Sequence, residues 1–127
     1  MAGSTILYYT RDMPLRVKRV YETPAKEDGP RILADRLWPR GVTKEKAHIT
    51  YWAKDLAPSS ELRSWFHEDP ENRFGDFQKR YASELKKNRT KIKSDLEPYT
   101  RSFTLVTAVR DIERSHIPTL KSFLKRL

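Results

Sequence analysis

The chain of 127 residues has no cysteine and only four glycines, and each shortage removes a class of chemistry. Without cysteine there is no disulfide, no thiolate nucleophile and no thiolate-held zinc. A reducing compartment is compatible with that composition. So few glycines leave no Gly-rich phosphate loop, and neither a P-loop nor a dinucleotide-binding fingerprint occurs. No serine stands in a G-x-S-x-G elbow. Apolar runs are a few residues long, far below the roughly 20 needed to span a bilayer. The segment Met1 to Thr10 lacks both a basic flank and a long apolar region. No secretory signal is therefore expected, and the expected location is cytoplasmic. The histidines His48, His67 and His116 show no i, i+4 pairing and no His-Glu-x-x-His run, so neither a metal nor a cofactor is expected.

What the chain does carry is positive charge. Lys and Arg number 26 against 17 Asp and Glu, a net charge of +9 with a pI near 9.9. Such an excess attracts phosphorylated small molecules or nucleic acid through long-range fields, and says nothing about fold. The length suits one domain with one core.

Along the chain, Leu15 to Tyr21 and Arg31 to Leu37 read as strands from their β-branched and aromatic content. Between them, Thr23 to Pro30 is a loop whose Asp28-Gly29 pair is a hairpin signal. Residues 1–14 read as an appended arm, with Thr5 to Tyr9 suited to an edge strand. A short helical turn is expected at Thr43 to Ala47. Ser59 or Ser60 caps a helix with Leu62, Trp65 and Phe66 on one face. Asp69-Pro70-Glu71 opens the next, with Phe74, Phe77, Tyr81 and Leu85 inward. Lys91 to Tyr99 is a further helix. Phe103 to Val109 is the clearest strand, and its near-continuous apolar character fits burial on both faces. Ser115 caps a final helix. The order predicts a single small α/β domain, a short, partly parallel sheet flanked by about four helices.

The densest cluster of chemistry is Asp35-Arg36-Leu37-Trp38-Pro39-Arg40-Gly41, polar groups at the end of an apolar strand, where sites in α/β sheets gather. Arg36 and Arg40 read as a clamp for phosphate or carboxylate, because a guanidinium forks onto such groups. The other reading of Arg36 is an internal pair that fixes the turn. Asp35 reads as a general base, or as a group that orients an arginine or caps the turn. Trp38 is a stacking wall or a core plug. Lys54 and Arg63 complete the basic set, with Arg63 one turn into a capped helix whose backbone amides favour anions. His116, at the start of the final helix, is suited to acid–base work at neutral pH or to a capping role. Lys79, Arg80, Lys86, Lys87, Arg89, Lys91 and Lys93 form a basic helical face, without the aromatic interleaving of a single-strand binder.

The Asp35–Gly41 block, with Lys18-Arg19-Val20-Tyr21, Trp52, Lys54, Pro58-Ser59, Leu62-Arg63, Phe66-His67, Phe77, Tyr81, Glu84-Leu85, Thr104-Leu105 and His116, resembles the YeaO-like family of small proteins, from about residue 15 to the C-terminus. The resemblance implies an α/β fold over 15–127 and brings no catalytic residue to carry over. The chain departs from it at Val106-Thr107-Ala108-Val109-Arg110-Asp111, where relatives often carry an aromatic residue and a lysine, so Arg110 is left out of the candidate set. Two functions are expected from these observations. The first is an Arg-rich pocket for a phosphorylated or nucleotide-like ligand, with Arg36, Arg40, Trp38, Lys54 and Arg63 as binding residues and His116 and Asp35 as proton handlers should it catalyse. The second is a non-catalytic nucleic-acid module using the basic face of residues 79–93.

Overall fold

A computed structural model describes residues 15–99 and 102–127; the arm and edge strand expected before residue 15 lie outside the described residues. Four short strands, β1 (Arg16–Arg19), β2 (Arg31–Leu33), β3 (Tyr51–Trp52) and β4 (Thr104–Thr107), form one sheet. Its order is β1-β4-β2-β3, and every pairing is parallel. β4 is the hub. Thr104, Leu105 and Val106 pair with Arg16, Val17 and Lys18 on one side and with Arg31, Ile32 and Leu33 on the other.

That arrangement overturns the hairpin reading of Asp28-Gly29. β1 and β2 are not neighbours, so no two-residue turn joins them; Lys26–Asp28 is instead a 3-10 turn closed by Gly29 at φ 62°. Strand alternation then sorts the core. Ile32 and Leu105 belong to a large cluster with Leu62, Phe77, Tyr81 and Leu120. Their neighbours Leu33 and Val106 belong to a smaller one with Val20 and Ala47, against which Trp38 and Trp52 pack.

Five helices accompany the sheet among the described residues: α1 (Lys44–Ala47), α2 (Ser60–Glu68), α3 (Pro70–Lys87), α4 (Arg89–Leu96) and α5 (Ile117–Lys125). α3 is the organiser, packing against α2, α4 and α5. It buries Phe77, Tyr81 and Leu85, one per turn or so, as its apolar spacing predicts. None of the helices among the described residues is long and apolar enough to cross a membrane.

One polar cluster is buried beneath the sheet's N-terminal edge. The Asp28 carboxylate accepts from Arg31 Nη1 at 2.6 Å, from Lys18 Nζ at 3.2 Å and from the Ala25 amide at 3.0 Å. Burial by itself would raise the Asp28 pKa, but the Ala25 amide, Lys18 and Arg31 together hold it below the usual carboxylate value.

Candidate functional site

All four strands point the same way, so their C-terminal ends share one edge. There β2 runs into the Asp35–Gly41 segment, and β4 runs into Ala108 to Ser115. Ala34 makes the last ladder bond, its amide to Val106 O at 2.9 Å. Asp35 then takes over with its side chain. Its carboxylate accepts from Thr107 Oγ1 and from the Ala108 amide, both at 2.7 Å. The strand expected to reach Leu37 thus ends at Leu33, because a carboxylate replaces the backbone ladder and frees the chain to turn outward. Asp35→Ala strips partners from a hydroxyl and an amide at the strand end. The expected loss is about 2–3 kcal/mol of unfolding free energy in denaturant titration. A loss near zero would remove Asp35 from this bracing role.

Between the two segments and the start of α2 lies a cleft of about 610 Å³. Its wall carries Arg36, Arg40, Arg63, Arg110 and Arg114, against the acids Asp35 and Asp111. Asp35, Arg36, Trp38, Arg40, Arg63 and His116 therefore converge on one cleft. Lys54 does not line it. That residue follows β3, the strand at the sheet's far edge, and its ammonium lies 4.1 Å over the Trp52 ring.

The converging groups are not equally available. Arg36 is spent on the fold: Nε donates to Pro58 O at 2.9 Å and Nη2 to Ala57 O at 3.2 Å, which moors the loop before α2. Trp38 is both plug and wall, with its indole N–H on Val42 O at 2.7 Å and its ring edge-on to Trp52 at 5.3 Å. Arg40 and Arg63 are exposed, and neither side chain holds a hydrogen bond or ion pair among the described residues. Gly41, at φ 76°, ends the motif in a left-handed conformation that a Cβ would strain.

The anion seat expected at the start of α2 is already filled from within. The Glu84 carboxylate of α3 accepts from the Ser59 amide at 2.9 Å and from Ser59 Oγ at 2.5 Å, while Ser59 Oγ accepts from the Leu62 amide at 3.1 Å. Arg63 faces the cleft without that cap as its co-receptor.

His116 lies at the back of the cleft, 7% exposed. Nε2 donates to Ala34 O at 2.7 Å and is 3.5 Å from an Asp35 oxygen, and the ring stands edge-on to Tyr81 at 5.9 Å. The Tyr81 hydroxyl in turn donates to Leu56 O. Burial lowers the His116 pKa, and Asp35 and the Ala34 carbonyl oppose that only in part, so the ring is neutral at neutral pH. His67, also on the cleft, has its pKa lowered by burial and then by Arg63.

Arg110, Arg114, Tyr21 and Leu37 are cleft residues that sequence reasoning did not select. Arg110 had a usable signal, since it comes three residues after the end of β4 much as Asp35 comes two after the end of β2. Arg114 had none: it arrives through the 3-10 turn Ile112–Arg114, where its guanidinium lies 4.7 Å over the Phe74 ring.

The basic face of residues 79–93 is partly consumed. Lys91 pairs with Asp55 at 2.7 Å and Asp95 at 2.8 Å. Arg80 lies 4.0 Å over the Trp65 ring, and Arg89 donates to Leu127 O at 3.1 Å. Among the described residues no group of three or more His, Asp or Glu side chains is placed to hold a metal.

Fold and cleft together define a class: a small, all-parallel α/β domain with a basic cleft at the carboxyl ends of its strands. The chain belongs to the family described as the inactive DUF488-N3 subclade, whose model matches residues 14–127. An uncharacterised protein of Mycobacterium tuberculosis is 44% identical to it over 116 residues, covering 90% of this chain and 96% of that protein. The uncharacterised protein YeaO of Escherichia coli is 33% identical over 117 residues, 91% of this chain and 100% of its own. No solved structure matches the chain.

Proposed function

We propose that the cleft binds an anionic small molecule of the phosphorylated or nucleotide-like class and holds it without transforming it. The observation that carries this reading is the five-to-two excess of arginine over acid on the wall, with Arg40 and Arg63 uncommitted. Guanidinium groups fork onto phosphate and carboxylate oxygens, and a cleft with a net excess of positive charge concentrates such ligands. The rim adds the exposed side chains of Tyr21 and Leu37, which suit a ligand with a planar or apolar body beside its charge. Binding without turnover is supported by the commitments of Asp35, whose two oxygens brace β4. The description of the subclade as inactive supports it too. A cytoplasmic location, where phosphorylated metabolites abound, fits the same reading.

The test is differential scanning fluorimetry with inorganic phosphate, pyrophosphate and adenosine monophosphate. At a hundredfold excess over Kd a bound ligand adds about 2.7 kcal/mol, on the order of 10 °C for a domain of this size. No shift with any of the three contradicts the reading.

A further inference from the structure

His116 offers a group that the arginines do not. The Ala34 carbonyl can only accept, so its 2.7 Å bond to Nε2 fixes the ring proton there, and in the neutral ring Nδ1 is left as an acceptor. Among the described residues Nδ1 has no partner of its own: His116 begins α5 without a side-chain capping bond, and its one side-chain hydrogen bond there is made through Nε2. Among the described residues, Arg31 Nη2 is the sole side-chain nitrogen or oxygen that is both buried and unpartnered. Nδ1 therefore reaches solvent, although the residue is 7% exposed, and the cleft is the space that His116 borders. The ring is clamped on three sides, by Ala34, Asp35 and the edge-on Tyr81.

We infer that His116 Nδ1 is a fixed hydrogen-bond acceptor that selects, among anions drawn in by the arginines, those carrying a donor beside their charge. This deepens the anion-binding reading and rests on it. The arginines accept any oxyanion, whereas an acceptor held rigidly in a buried wall rejects a ligand that presents only lone pairs to it. The donor has two chemical sources: a P–OH proton on the phosphoryl group, or a hydroxyl on the carbon skeleton next to it. His116 acts here as a specificity residue, with no proton transferred.

The experiment is calorimetric titration of the whole protein at constant ionic strength with two probe pairs. Inorganic phosphate keeps a P–OH proton at neutral pH and sulfate has none; glycerol 3-phosphate has neighbouring hydroxyls and propyl phosphate has none. In one pair or the other the donor-bearing probe is expected to bind about tenfold tighter or more, the worth of a hydrogen bond to a charged partner, and the pair that responds identifies the source. His116→Gln keeps an N–H for Ala34 and loses the Nδ1 position, so it should abolish the preference while retaining the weaker probe's affinity. His116→Asn keeps an acceptor near Nδ1 and should retain the preference. Equal binding within both pairs by the wild-type protein, or a preference unchanged in His116→Gln, overturns the role of His116 and leaves the basic cleft standing. Binding of none of the four probes overturns the cleft reading and this inference with it.

Discussion

Asp28→Asn should cost about 3–5 kcal/mol of unfolding free energy, the penalty for stranding one partner of a buried ion pair. For a domain of this size that is a fall in Tm on the order of 10–20 °C. Arg31 is 3% exposed, and its guanidinium depends on Asp28 for Nη1 and on Ala47 O for Nε, while Nη2 is already unpartnered. Neutralising Asp28 leaves the Arg31 charge in the interior with a backbone carbonyl for company, and takes the carboxylate from the partly buried Lys18 as well. The companion variant Asp28→Asn/Arg31→Met should recover most of the loss, because it removes the buried pair together and leaves Lys18, which is partly exposed and keeps Thr23 O as acceptor. A single-variant loss below about 1 kcal/mol would mean that the pair is idle. The same group sets the acid limit. Its folded pKa lies below the ordinary carboxylate value, so its stabilisation is complete above roughly pH 4 and is lost as pH falls through the lower folded value. Asp28→Asn should therefore flatten the acid limb of a stability-against-pH curve, and an unchanged limb would assign acid unfolding to other groups.

The other large effect belongs to binding. Arg40 and Arg63 are exposed, and among the described residues neither side chain holds a hydrogen bond or ion pair, so Arg40→Ala and Arg63→Ala should each leave Tm in the absence of ligand nearly unchanged. Each should weaken phosphate-class ligands by about tenfold or more, the loss of one charge-assisted fork, and the pair together should abolish ligand-induced stabilisation. Arg40→Lys keeps the charge and loses the fork, so it should fall between wild type and alanine. An Arg40→Ala protein that unfolds would mark the motif as structural. Arg36→Ala, by contrast, should destabilise the fold itself, since that side chain holds the Ala57 and Pro58 carbonyls.

Those contrasts show what sequence could and could not convey. The strand at Thr104–Thr107 was legible because a strand buried on both faces needs an unbroken apolar run. The helices over Ser60–Glu68 and Pro70–Lys87 were legible from caps and apolar spacing. β3, two residues long, has too little length for any period to register. Gly29 looked like a hairpin turn because local signals are blind to β4, which inserts between β1 and β2 from some 70 residues away.

For the site, the Asp35–Gly41 motif pointed to the right edge of the sheet. The division of labour within it was not legible. Arg36 and Arg40 are the same residue type, and only tertiary contacts tell that one moors a loop while the other is free. Glu84 was unreadable as the filler of the α2 cap for the same reason: it lies 25 positions away in sequence. Lys54 lies off the cleft because the 3-10 turn after β3 lays its ammonium over the Trp52 ring, a placement that no local pattern records.

The most direct test of an arginine-walled cleft is a titration of inorganic phosphate or adenosine monophosphate followed through the arginine side-chain Nε–Hε resonances by NMR. Saturable shifts confined to Arg40, Arg63, Arg110 and Arg114, absent in Arg40→Ala/Arg63→Ala, are the expected result. Unmoved cleft arginines would contradict the account. If single-stranded or duplex DNA instead shifted the Cε–Hε resonances of Lys79, Lys86 and Lys87, with affinity falling linearly in log salt, the functional surface would be the helical face rather than the cleft.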